Sequence, residues 1–290
     1  MLRTTLPRIA GCVLVTLGFL SPVPAQETIP ASADAADIFD NFGASVHVDG
    51  NRLLVGPVRG RRGGGPEIFL FARDASGQWS REASFPSGWR NNFPLSEIPG
   101  HRGNRGNWSV LALRDPWLII GNPHQTVGGF EDAGEVRVYR RGAEGWAEHA
   151  AIPAPAPALD GGFGISTAFD GTWLVVGNPG QNLTHVYRLD ETTFTLQQSL
   201  QPTNGVTLGF GSDVALTGDQ LISRVNAELH VYSLVGGTWT FSQLLTGIGL
   251  GTVAPFAVHG DLLGVAATTP ELRLLRRTAG NWAPEAGPSL

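Results

Sequence analysis

Short unbroken apolar runs recur along the chain, most of them closed by glycine. They read Leu53-Leu54-Val55-Gly56, Leu118-Ile119-Ile120-Gly121 and Leu174-Val175-Val176-Gly177, then more weakly Leu221-Ile222-Ser223 and Leu262-Leu263-Gly264-Val265. Runs of this length bounded by glycine predict strands buried on both faces. An alternating segment precedes each: Ser45 to Val48, Val110 to Leu113, Ser166 to Phe169, Asp213 to Leu216, and Phe256 to Val258. Turns such as Asp49-Gly50-Asn51, Thr217-Gly218-Asp219 and His259-Gly260-Asp261 join segment to run. Glycine supplies the positive φ of a tight hairpin, so each pair is predicted to be antiparallel.

A third strand follows in one register: Glu67-Ile68-Phe69-Leu70-Phe71, Glu135-Val136-Arg137-Val138-Tyr139, Leu183-Thr184-His185-Val186-Tyr187, Glu228-Leu229-His230-Val231-Tyr232 and Glu271-Leu272-Arg273-Leu274-Leu275. Its period of two turns Ile68 and Leu70, with their equivalents, toward the core. An aromatic then opens a fourth strand at Trp79, Trp146, Phe194, Trp239 and Trp282. Four antiparallel strands repeated five times, near 42–85, 107–152, 163–200, 210–245 and 252–284, predict an all-β fold. The expected architecture is a β-propeller of about five four-stranded antiparallel blades. Equivalent leucines lie 65, 56, 47 and 41 residues apart. The loops therefore vary while the blade stays constant.

The N-terminus changes the picture of where the protein works. Arg3 and Arg8 precede an apolar run from Ile9 to Leu20, followed by Ser21-Pro22-Val23-Pro24-Ala25. This order predicts a secretory signal peptide over 1–25 and one propeller domain over 26–290. The expected location is periplasmic, cell-surface or extracellular, with no transmembrane segment in the mature chain. Cys12 is the single cysteine, so cleavage leaves neither disulfide nor thiol chemistry. All twenty basic residues are arginine, and the mature chain sets eighteen of them against twenty-five acids, a net charge of −7. A nucleic-acid partner is not expected from that balance.

Phe42-Gly43, Phe163-Gly164 and Phe210-Gly211 open three units, while Gly56-Pro57, Gly121-Asn122-Pro123 and Gly177-Asn178-Pro179 close the buried strand. With the Val-Tyr strand and the following Gly-x-Trp, the repeat resembles the FG-GAP unit of integrin α-subunit propellers and many bacterial exported proteins. The resemblance covers residues 34–283. Many members of that family bind calcium through Asp-rich loops, a chemistry that needs six to eight oxygen ligands. Here the equivalent loops run from Pro57 to Pro66, which is cationic, and from Asn122 to Gly134, where Glu131 and Asp132 stand together as a solvated turn. No metal and no cofactor are expected. The integrin propeller has seven blades, against five units here.

Candidate chemistry is sparse. No histidine pair has zinc spacing, and no Gly-x-Ser-x-Gly elbow occurs. His185 and His230 take a repeat position shared with Phe69, Arg137 and Arg273. The repeated acids Glu67, Glu135, Glu228 and Glu271 precede Arg or His by two residues in most units, which predicts cross-blade ion pairing.

Residues 52–105 hold nine Arg against four acids. Arg59, Arg61 and Arg62 in one loop, with Trp89, Arg90, Arg102 and Arg105 in the insertion from Pro86 to Gly106, should share a propeller face. Arg and Trp are enriched at binding hot spots. The expectation is therefore a non-enzymatic exported protein that binds a protein or glycan partner through this long-loop face. Its rival is a glycan-active hydrolase or lectin with a site at the channel mouth.

Overall fold

A computed structural model of the chain describes residues 45–58, 67–87, 110–206, 209–251, 255–267 and 271–285. Twenty strands form five four-stranded antiparallel sheets, the blades of a five-bladed β-propeller. Blade 1 holds β1 (Ser45–Asp49), β2 (Arg52–Val58), β3 (Glu67–Arg73) and β4 (Trp79–Pro86). Blade 2 holds β5 (Leu111–Arg114), β6 (Trp117–Asn122), β7 (Glu135–Gly142) and β8 (Gly145–Pro153). Blade 3 holds β9 (Thr167–Phe169), β10 (Trp173–Asn178), β11 (Leu183–Asp190) and β12 (Thr193–Leu200). Blade 4 holds β13 (Val214–Thr217), β14 (Gln220–Val225), β15 (Glu228–Val235) and β16 (Thr238–Leu245). Blade 5 holds β17 (Phe256–His259), β18 (Leu262–Ala266), β19 (Leu272–Thr278) and β20 (Asn281–Pro284).

The strands fall where the apolar runs place them, with one instructive difference. Alternation points Ile68 and Leu70 inward, yet Phe69 and Phe71 between them are buried as well. The third strands of blades 3 and 4 behave alike, with consecutive residues buried on both faces because a neighbouring blade packs on each side. The alternation in the sequence separates two different neighbours rather than core from solvent.

Among the described residues, four hydrophobic clusters fill junctions between successive blades. Leu54, Ile68 and Leu70 of blade 1 meet Leu111, Leu113 and Tyr139 of blade 2. Ile119 and Val138 of blade 2 meet Phe169 and Val176 of blade 3. Val186 of blade 3 meets Val214 and Tyr232 of blade 4, and Ile222 and Val231 of blade 4 meet Leu263 and Val265 of blade 5. Blades 1 to 4 share a register shift in the outer pair, at Leu70/Phe71, Val138/Tyr139, Val186/Tyr187 and Val231/Tyr232. A bulge at the same place in each of these four blades bends the outermost strand in the same way.

Backbone packs directly on backbone where blades join. A Cβ on Gly121 would lie 1.8 Å from the carbonyl oxygen of Gly164, and one on Gly177 would lie 1.9 Å from that of Gly211. Gly164 and Gly211 themselves have φ of +90° and +88°, a region that favours glycine. Phe163-Gly164 and Phe210-Gly211, with Gly121 and Gly177 at the ends of the buried strands, therefore belong to one device that presses blade 2 on blade 3 and blade 3 on blade 4.

Candidate functional site

First strands run from the loop side of the propeller to the turn side, second strands return, and the third and fourth repeat the path. One side thus carries the hairpin turns, and the other the connections between second and third strands and between blades. Of the fourteen buried polar or charged side chains among the described residues, all but Gln220 lie in the loop-side halves of their strands or in the adjoining loops. Burying a polar group costs free energy unless it is hydrogen-bonded or used. The buried polar groups of the described residues are thus concentrated on the loop side.

Blade 4 departs furthest from the repeat there. Where Gly56, Gly121 and Gly177 end their apolar runs, blade 4 places Arg224, and where Ser45 and Ser166 start theirs, it places Asp213. The two residues pair across the first hairpin, with the Arg224 backbone N–H donating to the Asp213 carbonyl at 2.9 Å. Directly paired residues project to one side of a sheet, so both side chains face blade 5. Both are buried. Burial lowers the Arg224 pKa, and the Asp213 carboxylate opposes that shift. The guanidinium donates from Nε to the Asn226 carbonyl at 2.8 Å and from Nη2 to the Gly251 carbonyl. Arg224 thereby clamps the loop that leads into blade 5, in the place where glycine would have allowed close approach.

The opposite side of the same blade edge holds Glu228 and His230. Glu228 Oε2 accepts a hydrogen bond of 2.6 Å from Asn204 Nδ2 and lies 3.9 Å from His230 Nε2. His230 is fully buried between Phe210 and Phe241, and burial lowers its pKa against the pull of Glu228. Two carboxylates, a guanidinium and an imidazole therefore share one blade end.

Blade 3 carries a line of residues that superficially resembles a nucleophilic triad. Ser199 Oγ is 2.9 Å from His185 Nδ1, and His185 Nε2 is 3.3 Å from Asn178 Nδ2. Asn178 Nδ2 also donates to Gln181 Oε1 at 2.7 Å. An amide nitrogen only donates, so Nε2 accepts and the ring proton sits on Nδ1, facing Ser199. Ser199 is then an acceptor, the reverse of what activation of a nucleophile requires. Burial also pushes His185 down to about 4, so it is a poor base near neutrality. This line is structural.

Several expectations meet the structure here. The patch residues Arg59, Arg61, Arg62, Trp89, Arg90, Arg102 and Arg105 all lie outside the described residues, as does the N-terminal stretch 1–25. Two of the repeated acids pair with the arginine two residues on instead of across blades: Glu135 with Arg137 at 2.8 Å, and Glu271, just before β19, with Arg273 at 3.7 Å. Side chains two apart on a strand share a face, which brings them together without help from a neighbour. Asp132 is no solvated turn residue; it is buried, with its Oδ1 3.2 Å from His124 Nδ1. Among the described residues no group of three or more His, Cys, Asp or Glu is placed to hold a metal. Nor is any helix there long and apolar enough to cross a membrane. Sequence reasoning missed Asp213 and Arg224, although each is legible as a charged break in an otherwise regular repeat.

No family model matches the chain, and no curated protein does. Solved structures share its fold. A putative 6-phosphogluconolactonase from Bacteroides uniformis superposes with a TM-score of 0.52 at 9% identity, covering 81% of this chain and 67% of that one. The periplasmic gluconolactonase of Pseudomonas aeruginosa does so with 0.52 at 17%, covering 83% and 66%. A protein from Lactobacillus plantarum gives 0.53 at 15%, covering 81% and 66%. The chain spans about two thirds of the length of these structures, and at such identities the likeness establishes the propeller fold. The sequence reading of a non-enzymatic binding protein is corrected at this point. The finding against it is that propellers of this fold include a putative 6-phosphogluconolactonase and a periplasmic gluconolactonase.

Proposed function

We propose that the protein is a hydrolase of small sugar-derived lactones, acting on the loop side of the propeller at blade 4. The observation that carries this reading is the buried Asp213–Arg224 pair, which replaces small residues at two repeat positions on the loop side. Lactone hydrolysis needs a base to take a proton from water and a positive charge beside the oxyanion formed when that water attacks the carbonyl. Asp213 would serve as the base and return the proton to the departing ring oxygen. Arg224 would offset the oxyanion's charge while holding the blade 5 loop in place. Names of two fold neighbours, a gluconolactonase and a putative 6-phosphogluconolactonase, support the substrate class.

Three further parts of the reading rest on sequence. The Arg3/Arg8 and Ile9–Leu20 pattern supports export by a signal peptide over 1–25. The Phe-Gly and Gly-Asn-Pro motifs support an FG-GAP-type repeat. Arg59, Arg61, Arg62, Trp89, Arg90, Arg102 and Arg105 are proposed as the outer binding surface, suited to an anionic or carbohydrate group of the ligand.

The test is hydrolysis of glucono-δ-lactone and its 6-phosphate by the purified chain, followed by acid release. Turnover above the spontaneous rate supports the reading. Hydrolysis at the spontaneous rate with both compounds removes it.

A further inference from the structure

Blade 5 sets a second guanidinium opposite the Asp213–Arg224 pair. Arg273 is paired across β18 and β19 with Val265, which packs into the cluster shared by blades 4 and 5. Paired residues project to one side of a sheet, so Arg273 faces blade 4, just as Asp213 and Arg224 face blade 5. The segment 246–251 touches both walls at the loop side, anchored by buried Ile248 and Leu250 and by a bridge from Leu250 to Ala267. Arg224 donates to the carbonyl of Gly251, and the Arg273 guanidinium lies on Gly249, where a Cβ would be 2.8 Å from its Cζ and 2.9 Å from its Nη1. Gly249 and Gly251 are two residues apart, so the two arginines grip points separated by at most roughly 7 Å of chain. We propose, on the reading of Asp213 and Arg224 as the reacting pair, that Arg273 binds a carboxylate or phosphate group of the ligand, which makes the substrate an acidic sugar lactone.

Arg137 stands at the same third-strand position in blade 2 and shows what is different about Arg273. The Arg137 Nε donates to Glu135 at 2.8 Å, a hydrogen bond that raises its pKa. Glu271 lies 3.7 Å from Arg273, beyond hydrogen-bonding distance, and the two side chains are 45% and 41% exposed. The cause is local: Glu135 opens β7, whereas Glu271 stands before β19 begins. Arg224 differs again, because it is buried with Nε and Nη2 engaged on the carbonyls of Asn226 and Gly251. Of the two arginines, Arg273 therefore keeps a half-exposed fork of donors.

A guanidinium presents its N–H groups in a planar fork that matches a carboxylate or a phosphate, so a flat seat fixes the direction of recognition. Gly249 provides that seat. A side chain there would lift the guanidinium, and the φ of +80° favours glycine. An acidic group held on blade 5 orients the rest of the same molecule toward Asp213 and Arg224 on blade 4, which is how a group that does not react contributes to rate. A neutral lactone lacks that handle.

The experiment titrates the full chain calorimetrically with inorganic phosphate and with glucarate, neither of which has a lactone bond to cleave. Arg273→Gln keeps part of the stem over Gly249 and removes the charge, Arg273→Lys restores a charge, and Arg137→Gln alters the same position of blade 2. At least one anion should bind the parent and bind Arg273→Gln at least about 10-fold more weakly, as loss of a charge-assisted hydrogen bond does, with Arg273→Lys between them and Arg137→Gln like the parent. Binding of phosphate alone identifies a phosphate group on the ligand, and binding of glucarate alone a carboxylate. In turnover, kcat/KM for 6-phosphoglucono-δ-lactone or glucaro-γ-lactone relative to glucono-δ-lactone should fall at least about 10-fold in Arg273→Gln. Anion binding that depends on Arg273, without hydrolysis of any lactone, would support the anion site and remove the hydrolase reading alone. No binding of either anion by the parent, or equal binding by Arg273→Gln, overturns the proposal.

Discussion

Gly177 and Gly211 meet so closely across the boundary of blades 3 and 4 that a Cβ on the first would sit 1.9 Å from the carbonyl oxygen of the second. The Ser166 hydroxyl, which donates to that same carbonyl at 2.8 Å, would be 2.3 Å away. Thr184 and Ser223 share a 2.7 Å hydrogen bond beside this contact. Adjacent blades are thus joined by backbone contact and hydroxyl bonding at the loop side and by apolar packing further along.

Gly177→Ala should therefore destabilise by about 2–3 kcal/mol through overpacking against backbone that cannot rotate away. Gly142→Ala is the control, since its nearest neighbour lies at 4.0 Å and its φ is not positive. It should change stability by no more than about 0.5 kcal/mol. Urea denaturation of both variants checks the pair.

Trp239 is 2% exposed and packs edge-on against Trp173 at 5.7 Å between ring centroids. Its backbone N–H and carbonyl are both tied to Gln198, at 2.7 and 3.2 Å. Trp239→Ala should cost about 3–5 kcal/mol, read from the same denaturation experiment. The recurrence of Trp in the sequence announces this role, because an aromatic at one fixed point of every unit packs a shared interface.

His185 links stability to pH. Its folded pKa is depressed by burial to about 4, so the unfolded chain takes up the proton first as pH falls. The neutral ring's contribution is complete above pH about 6.5 and is lost progressively toward pH 4, by up to about 3 kcal/mol. His185→Phe, which copies Phe69 of blade 1, should flatten this part of the profile. An unchanged slope between pH 7 and 4.5, measured against the parent, would show that the ring is not held neutral.

On the turn side, Asp115 accepts from Arg141 Nε at 2.9 Å and lies 3.6 Å from Arg52, which binds Glu82 at 2.8 Å. The Arg141 hydrogen bond is the main reason the Asp115 pKa is lowered. These groups are partly exposed, so water and salt screen them. Asp115→Asn should cost under about 1 kcal/mol, less in high salt, as thermal denaturation at two ionic strengths would show.

Much of the fold is legible in the sequence because each blade repeats the same local pattern. Leu174-Val175-Val176-Gly177 reads as a buried strand with a close approach at its end, and both features are present. Other expectations fail for identifiable reasons. Glu135 and Arg137 are two apart on one strand, and sequence alone does not separate pairing along a strand from pairing between blades. Asp132 looks solvated because it follows Glu131 in a polar loop, yet the loop folds back and encloses it with His124. Asp213 and Arg224 were legible only as exceptions: charged residues stand where the repeat calls for small ones.

The most direct test of the proposed activity compares Asp213→Asn with Ser199→Ala in lactone hydrolysis, each checked for an unchanged fold by circular dichroism. The account predicts that Asp213→Asn lowers kcat/KM at least about 100-fold, as loss of a general base does, while Ser199→Ala, whose hydroxyl accepts from His185, stays near wild type. Activity retained by Asp213→Asn, or lost in Ser199→Ala alone, would contradict it.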